Sequence, residues 1–174
     1  MSAPTLRARR PLLYVLSALV ALTLAFIFGQ SVLPPSLSGE ESGRVAGFLS
    51  SLLPPSGFTD FLVGNVRKIA HFSEFALLGT EVFFLLRFAL SLRGACIHAG
   101  ALLFGFFVGF LDETIQIFSD RGPAIADVWL DAAGFACFYV LLLLAFSFAE
   151  RKKKSVKENK NVKEKPNSGK ETRN

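Results

Sequence analysis

Apolar and polar positions in this chain fall into long blocks. Residues 11–39 carry no charge, and 12–28 are almost entirely apolar, about enough residues to cross the ~30 Å hydrocarbon core of a bilayer as a helix. A second run, 69–90, is interrupted by His71, Glu74, Glu81 and Arg87, a pattern expected of a span whose polar side turns toward other protein. Residues 95–118 and 125–148 form two more apolar runs. The short stretch Ser119-Asp120-Arg121-Gly122-Pro123 between them contains a Gly-Pro stop, which makes the third and fourth spans antiparallel neighbours. The pattern predicts an all-α polytopic membrane protein, a bundle of four transmembrane helices at about 11–29, 68–90, 95–118 and 125–148.

The longest connection, 30–67, carries Pro34-Pro35-Ser36 and Pro54-Pro55-Ser56. Between them Val45, Phe48, Leu49, Leu52 and Leu53 recur at helical spacing, as in a short helix lying in the membrane interface or a loop packed over the bundle. Arg7, Arg9 and Arg10 precede the first span, as they would in a signal peptide, but no small-x-small cleavage pattern follows, so a retained anchor is expected.

Composition sharpens this picture. Of 174 residues 51% are hydrophobic, with 19 Phe, which argues against a soluble single core. The formal charge of +5 does not point to nucleic acid, because ten of the 19 Lys and Arg lie between Arg151 and Arg173, beyond the last span. The domains expected are a basic N-terminus (1–10), a four-span domain (11–149) and a disordered Lys-rich tail (150–174). Placing both termini in the cytoplasm leaves only Arg44, Arg67, Lys68 and Arg121 outside, a strong positive-inside bias. Cys96 and Cys137 lie within apolar runs and offer no metal spacing.

The chemistry lies in ionisable residues at the ends of the apolar runs. Such groups cost roughly 2.5–3.5 kcal/mol each on insertion scales, so they normally face a protein interior or a wet cavity. At the helical rise, His71 and Glu74 lie about 4–5 and 9 Å in from Lys68. Gln116, Glu113 and Asp112 lie about 3, 8 and 9 Å below the end of the third span, and Asp127 and Asp131 about 3 and 9 Å into the fourth. These depths form one outer layer. Lys68, His71 and Glu74 step by three, Asp112 and Gln116 by four, and Asp127 and Asp131 by four, so each set makes a stripe on its helix. Five carboxylates then face Lys68, Arg121 and His71, an excess that must take up protons, bind a cation or meet a basic ligand group. Glu81 continues the Glu74 stripe at about 20 Å depth and needs a partner, water or neutrality. His98, near the inner end of the third span, is expected to serve in packing. Gly100, Gly105 and Gly109 offer small faces for close helix approach.

The ordered segments Lys68-Ile69-Ala70-His71-Phe72-Ser73-Glu74-Phe75, Asp112-Glu113-Thr114-Ile115-Gln116-Ile117-Phe118, and Arg121 with Asp127 and Gly134 resemble the VanZ-like family of small bacterial membrane proteins. The resemblance covers roughly residues 12–148. Phe75 stands where that pattern commonly has an aromatic hydroxyl, and Asp131 where Asn is common. The resemblance implies a cell-envelope protein of the bacterial cytoplasmic membrane, in a family whose founding member is associated with glycopeptide (teicoplanin) resistance.

Three functions stay open for such a cluster. In the first, an outer polar pocket built by spans two to four binds an envelope ligand, an anionic lipid head group or a cell-wall precursor. Lys68 and Arg121 would hold its charge while His71, Glu74, Glu113 and Gln116 orient it. In the second, His71 beside Glu74 and facing Asp112 or Glu113 serves acid-base chemistry, or with the carboxylates holds a hard divalent cation such as Mg²⁺. One His amid oxygens argues against structural zinc, and no elbow-type Ser or Cys nucleophile occurs. No resident cofactor is called for. In the third, the residues only lock the helices together, a modest benefit at about 0.6 kcal/mol per interhelical polar contact.

Overall fold

The structure is a computed structural model that describes residues 6–119 and 124–163, with side chains over 10–119 and 124–159. Helices are the only regular structure among the described residues. They are α1 (Leu6–Val32), α2 (Pro35–Leu52), α3 (Gly57–Gly64), α4 (Val66–Phe84, ending in a π-helical turn, Leu85–Ala89), α5 (Ala95–Phe118) and α6 (Ile125–Lys163). Four contain stretches long and apolar enough to cross a membrane: Arg10–Val32, Val66–Ala89, Ala95–Phe118 and Ile125–Asn159. This is an all-α polytopic membrane protein.

The chain divides into two compact units, Met1–Val140 and Leu141–Asn174. The first holds the core and the polar cluster. Its spans are apolar outward, with Leu19, Leu22, Phe26, Leu77, Leu103, Phe107, Phe110 and Trp129 exposed. Polar residues lie inside, where Asp112, Glu113, Gln116 and Asp131 are buried together with Phe75, Leu78, Phe83, Phe135 and Tyr139. That inversion is what lipid as solvent requires. The second unit continues α6, first with exposed apolar residues such as Leu141, Leu144 and Phe148. It remains helical through the Lys-rich stretch to Lys163, which covers the first part of the tail whose composition suggests disorder. Glu150 and Lys154, four apart with the acid first, support helix there.

Each Pro-Pro-Ser marks a helix boundary. Pro35 opens α2, where its missing N–H is no loss. Pro54 and Pro55 separate α2 from α3, whose N-cap Ser56 accepts the Thr59 N–H at 3.2 Å. The long connection is therefore two helices. Val45, Phe48 and Leu52 of α2 are exposed. Helix α1 begins before Pro11, which sits inside it and removes only one backbone hydrogen bond near the helix end.

Two glycines bring α4 and α6 into backbone contact. A Cβ on Gly134 would lie 2.5 Å from the Phe72 carbonyl oxygen, and one on Gly79 would collide with the Phe135 carbonyl. On α5, a Cβ at Gly105 would run into the Phe135 ring, and one at Gly109 would come within 3.1 Å of the Asp131 Cβ. These are close approaches of the small-residue kind that membrane helices use. Gly100 meets nothing within 4 Å and takes no part in the packing face expected of it.

Candidate functional site

The site is built at the end of the bundle where α1 and α5 finish and α4 and α6 begin. Asp112, Glu113 and Gln116 lie within one turn of α5, and the Gln116 amide ties the two acids together. Its Nε2 donates to Asp112 Oδ2 at 2.9 Å and to Glu113 Oε1 at 3.0 Å. Its Oε1 accepts from Arg67 Nη2 at 2.9 Å. Both amide hydrogens and the carbonyl are thus engaged, which fixes the orientation of the amide. The second Glu113 oxygen accepts the Ala124 N–H at 3.1 Å, just before α6. Asp112 Oδ1 accepts a hydrogen bond from Ser31 Oγ, whose single proton is shared with the Ile27 carbonyl.

His71 approaches this network from α4. Its Nδ1 is 3.6 Å from Asp131 Oδ1 and 3.8 Å from Asp112 Oδ2. Both carboxylate side chains are 0% exposed, and the imidazole is 14% exposed. His71 Nδ1 and both oxygens of Asp131 have no hydrogen-bond partner among the described residues.

Two cavities meet at His71. One, of about 450 Å³, is walled by Phe26 and Gln30 of α1, Val45 and Leu49 of α2, and Ile69 and Ala70 of α4, with Arg67, His71, Glu74 and Glu41 as its ionisable lining. The other, of about 270 Å³, is lined by Gly64, Asn65, Arg67, Lys68, His71, Asp127 and Leu130. One is mainly apolar with a charged edge and the other polar and apolar in about equal measure.

The model of the VanZ/LLP1 family matches residues 13–147. The chain belongs to that family. It is also similar to "Uncharacterized membrane protein YwnJ" of Bacillus subtilis (strain 168), with 36% identity over 90 residues, 51% of this chain. The matched region spans 58% of that relative's length. No solved structure matches the chain.

In this VanZ/LLP1 chain, His71, Asp112 and Asp131 converge, with Glu113 and Gln116 joined to Asp112 through hydrogen bonds. Glu74 shares the larger cavity with His71, while Lys68 and Asp127 line the smaller one. Arg121 lies outside the described residues.

The expectation that spans two to four alone build the pocket is corrected by Ser31, which enters from α1. Arg67 reaches Gln116 and borders both cavities, although sequence reasoning counts it only as an outer charge. Its one available signal is position, since Arg67 precedes Lys68 at the mouth of a span. Ser31 has no such signal, because a serine near a span end is common.

Two polar residues belong elsewhere. Glu81 Oε1 accepts from Thr23 Oγ1 at 3.0 Å, so the deep carboxyl has a partner on α1. His98 Nδ1 is 2.8 Å from the Tyr139 hydroxyl, a link between α5 and α6 away from the cluster.

Proposed function

We propose that this VanZ/LLP1 protein binds an amphiphilic envelope ligand with an anionic head group, on the outer side of the bacterial cytoplasmic membrane with both termini in the cytoplasm. The observation that carries this reading is His71, which stands at once in the wall of the apolar cavity and beside the buried carboxylates. A volume of about 450 Å³ falls within the roughly 300–1,000 Å³ of small-molecule sites. Apolar walls from α1, α2 and α4 suit an acyl or isoprenoid chain. Arg67 and Lys68 suit a phosphate or carboxylate, with Arg121 a third cation on sequence grounds. Glu74, Glu113 and Gln116 would orient the polar part, and Asp127 would accept from its hydroxyl or amino groups. An effect on glycopeptide susceptibility would follow if the ligand is a cell-wall precursor.

The test uses purified full-length protein in nanodiscs and a short-chain fluorescent phosphatidylglycerol, with phosphatidylcholine as the neutral comparison. Saturable binding that prefers phosphatidylglycerol and weakens about tenfold in Lys68→Ala and in Arg67→Ala is expected. Equal binding of both lipids, or binding indifferent to both substitutions, would overturn the reading.

The enzyme reading draws on the same histidine, which borders both cavities beside two carboxylates and could exchange protons with a bound ligand. Turnover of lipid-linked envelope substrates that disappears in His71→Gln would establish it. Binding without turnover would leave a binding protein.

A further inference from the structure

We propose that His71, Asp112 and Asp131 form a binding site for a divalent cation of the first transition row, Mn²⁺ foremost, inside the bundle. The donor atoms of the three side chains lie within 4.8 Å of one another. The separations of 3.6 and 3.8 Å from His71 Nδ1 to the two carboxylates exceed the range of a direct hydrogen bond. They are slightly wider than the spacing across a shared ion, since two donors each about 2.1 Å from a metal are about 3.0 Å apart at an octahedral angle and about 3.4 Å at a tetrahedral one, so the side chains would close in by less than about 1 Å on an ion.

Asp131 supplies the independent sign of a ligand. It is fully buried, with neither oxygen hydrogen-bonded among the described residues, and one of them faces an equally unpartnered imidazole nitrogen. Buried polar groups in lipid-embedded bundles are normally satisfied; Glu81 Oε2 also lacks a partner among the described residues, but its carboxyl is held through Oε1 by Thr23, whereas neither oxygen of Asp131 is held. A divalent ion would engage all three atoms, and its charge would cancel the two carboxylates while His71 remained neutral.

The shell behind the donors has the form that metal sites use. Ser31 and Gln116 each hold one oxygen of Asp112, and Gln116 is itself fixed by Arg67 and Glu113. Gly109 leaves room for Asp131 beside α5. The donor set selects among ions. Mg²⁺ favours an octahedral shell of oxygens and dehydrates reluctantly, whereas an imidazole with carboxylates suits Mn²⁺ or Zn²⁺. Three protein donors leave coordination positions open beside cavities that His71 lines, the arrangement of a site that admits a further ligand. The ion needs no bound amphiphile, so this proposal stands apart from the lipid-binding reading.

The experiment uses full-length protein purified in detergent, stripped with chelator and titrated with Mn²⁺ without added lipid, with free Mn²⁺ followed by electron paramagnetic resonance. One saturable site per chain is expected, weakened at least tenfold in Asp131→Asn and in Asp112→Asn. Asp60→Asn, at an exposed position on α3, should leave it unchanged. Pulsed spectra of the bound ion should show imidazole nitrogen coupling that survives in His98→Gln. That signal decides the matter on otherwise unaltered protein even if the carboxylate variants fail to fold. Absence of saturable binding below about 1 mM, absence of nitrogen coupling, or full binding in folded Asp131→Asn would overturn the site. Loss of phosphatidylglycerol binding with Mn²⁺ binding intact would remove only the lipid reading.

Discussion

The Nδ1 of His71 stands 3.6 Å from Oδ1 of Asp131, and this pairing depends on how closely α4 and α6 cross. Phe72, next to His71, gives its carbonyl to the contact with Gly134, three residues beyond Asp131. The glycine crossing and the polar cluster are thus neighbouring parts of one helix interface. A bulkier residue at the crossing would separate the helices and the donors together.

Gly134→Ala and Gly79→Ala should each destabilise the protein by about 1–3 kcal/mol, because the added methyl meets backbone rather than a movable side chain. Intrinsic propensity alone would give the opposite sign, since Ala in a helix is favoured over Gly by roughly 0.8–1 kcal/mol. Gly100→Ala, which meets open space, should be neutral or stabilising. Thermal unfolding in detergent separates the two classes, and a stabilised Gly134→Ala would refute the close crossing.

Ser31→Ala removes one donor to a buried carboxylate, and Gln116→Leu removes the amide that joins Asp112, Glu113 and Arg67. Each deletion should lower stability by about 1–3 kcal/mol, the cost of leaving buried acceptors without their donor. Gln116→Leu should be the more damaging, since it takes a hydrogen bond from three groups rather than one. Equal unfolding midpoints for wild type and Gln116→Leu would argue against the network.

Thr23→Val leaves Glu81 Oε1 without its hydroxyl donor and should destabilise by about 1–3 kcal/mol. Adding Glu81→Leu to Thr23→Val should recover much of that loss, because removing both partners of a buried bond can be close to neutral. A double-mutant cycle in detergent measures this coupling, and additive losses would show that the pair does not interact.

Tyr139→Phe deletes the hydroxyl bonded to His98 while retaining the ring stacked on Phe135. A cost of about 0.5–1.5 kcal/mol is expected, with phosphatidylglycerol and Mn²⁺ binding unchanged. Weakened binding would mean that the two ends of the bundle are coupled.

The proposed orientation is checked by cysteine labelling in a Cys96→Ala/Cys137→Ala background. Asp60→Cys should react with a membrane-impermeant maleimide applied to intact cells, and Lys154→Cys only after lysis. The reverse pattern would put the site on the cytoplasmic side.

Much of the fold was legible in the sequence because lipid imposes a one-dimensional constraint. A span must be apolar for about 20 residues, and exceptions such as His71, Glu74 and Asp112 stand out against that background. Helical rise and periodicity then suffice to bring several of them to one depth and face.

Sequence by itself determined the membrane-spanning helical architecture and the residue types gathered near one end of it. Tertiary structure alone decided the partners. Rotation and close approach of α1, α4, α5 and α6 selected Ser31 and Arg67, paired Glu81 with Thr23, and left Asp131 facing His71. Hydropathy records how deep a side chain lies along a helix axis. It carries no distance between helices, and that distance, set by the meeting of Gly79 and Gly134 with the backbone opposite, decides which side chains touch.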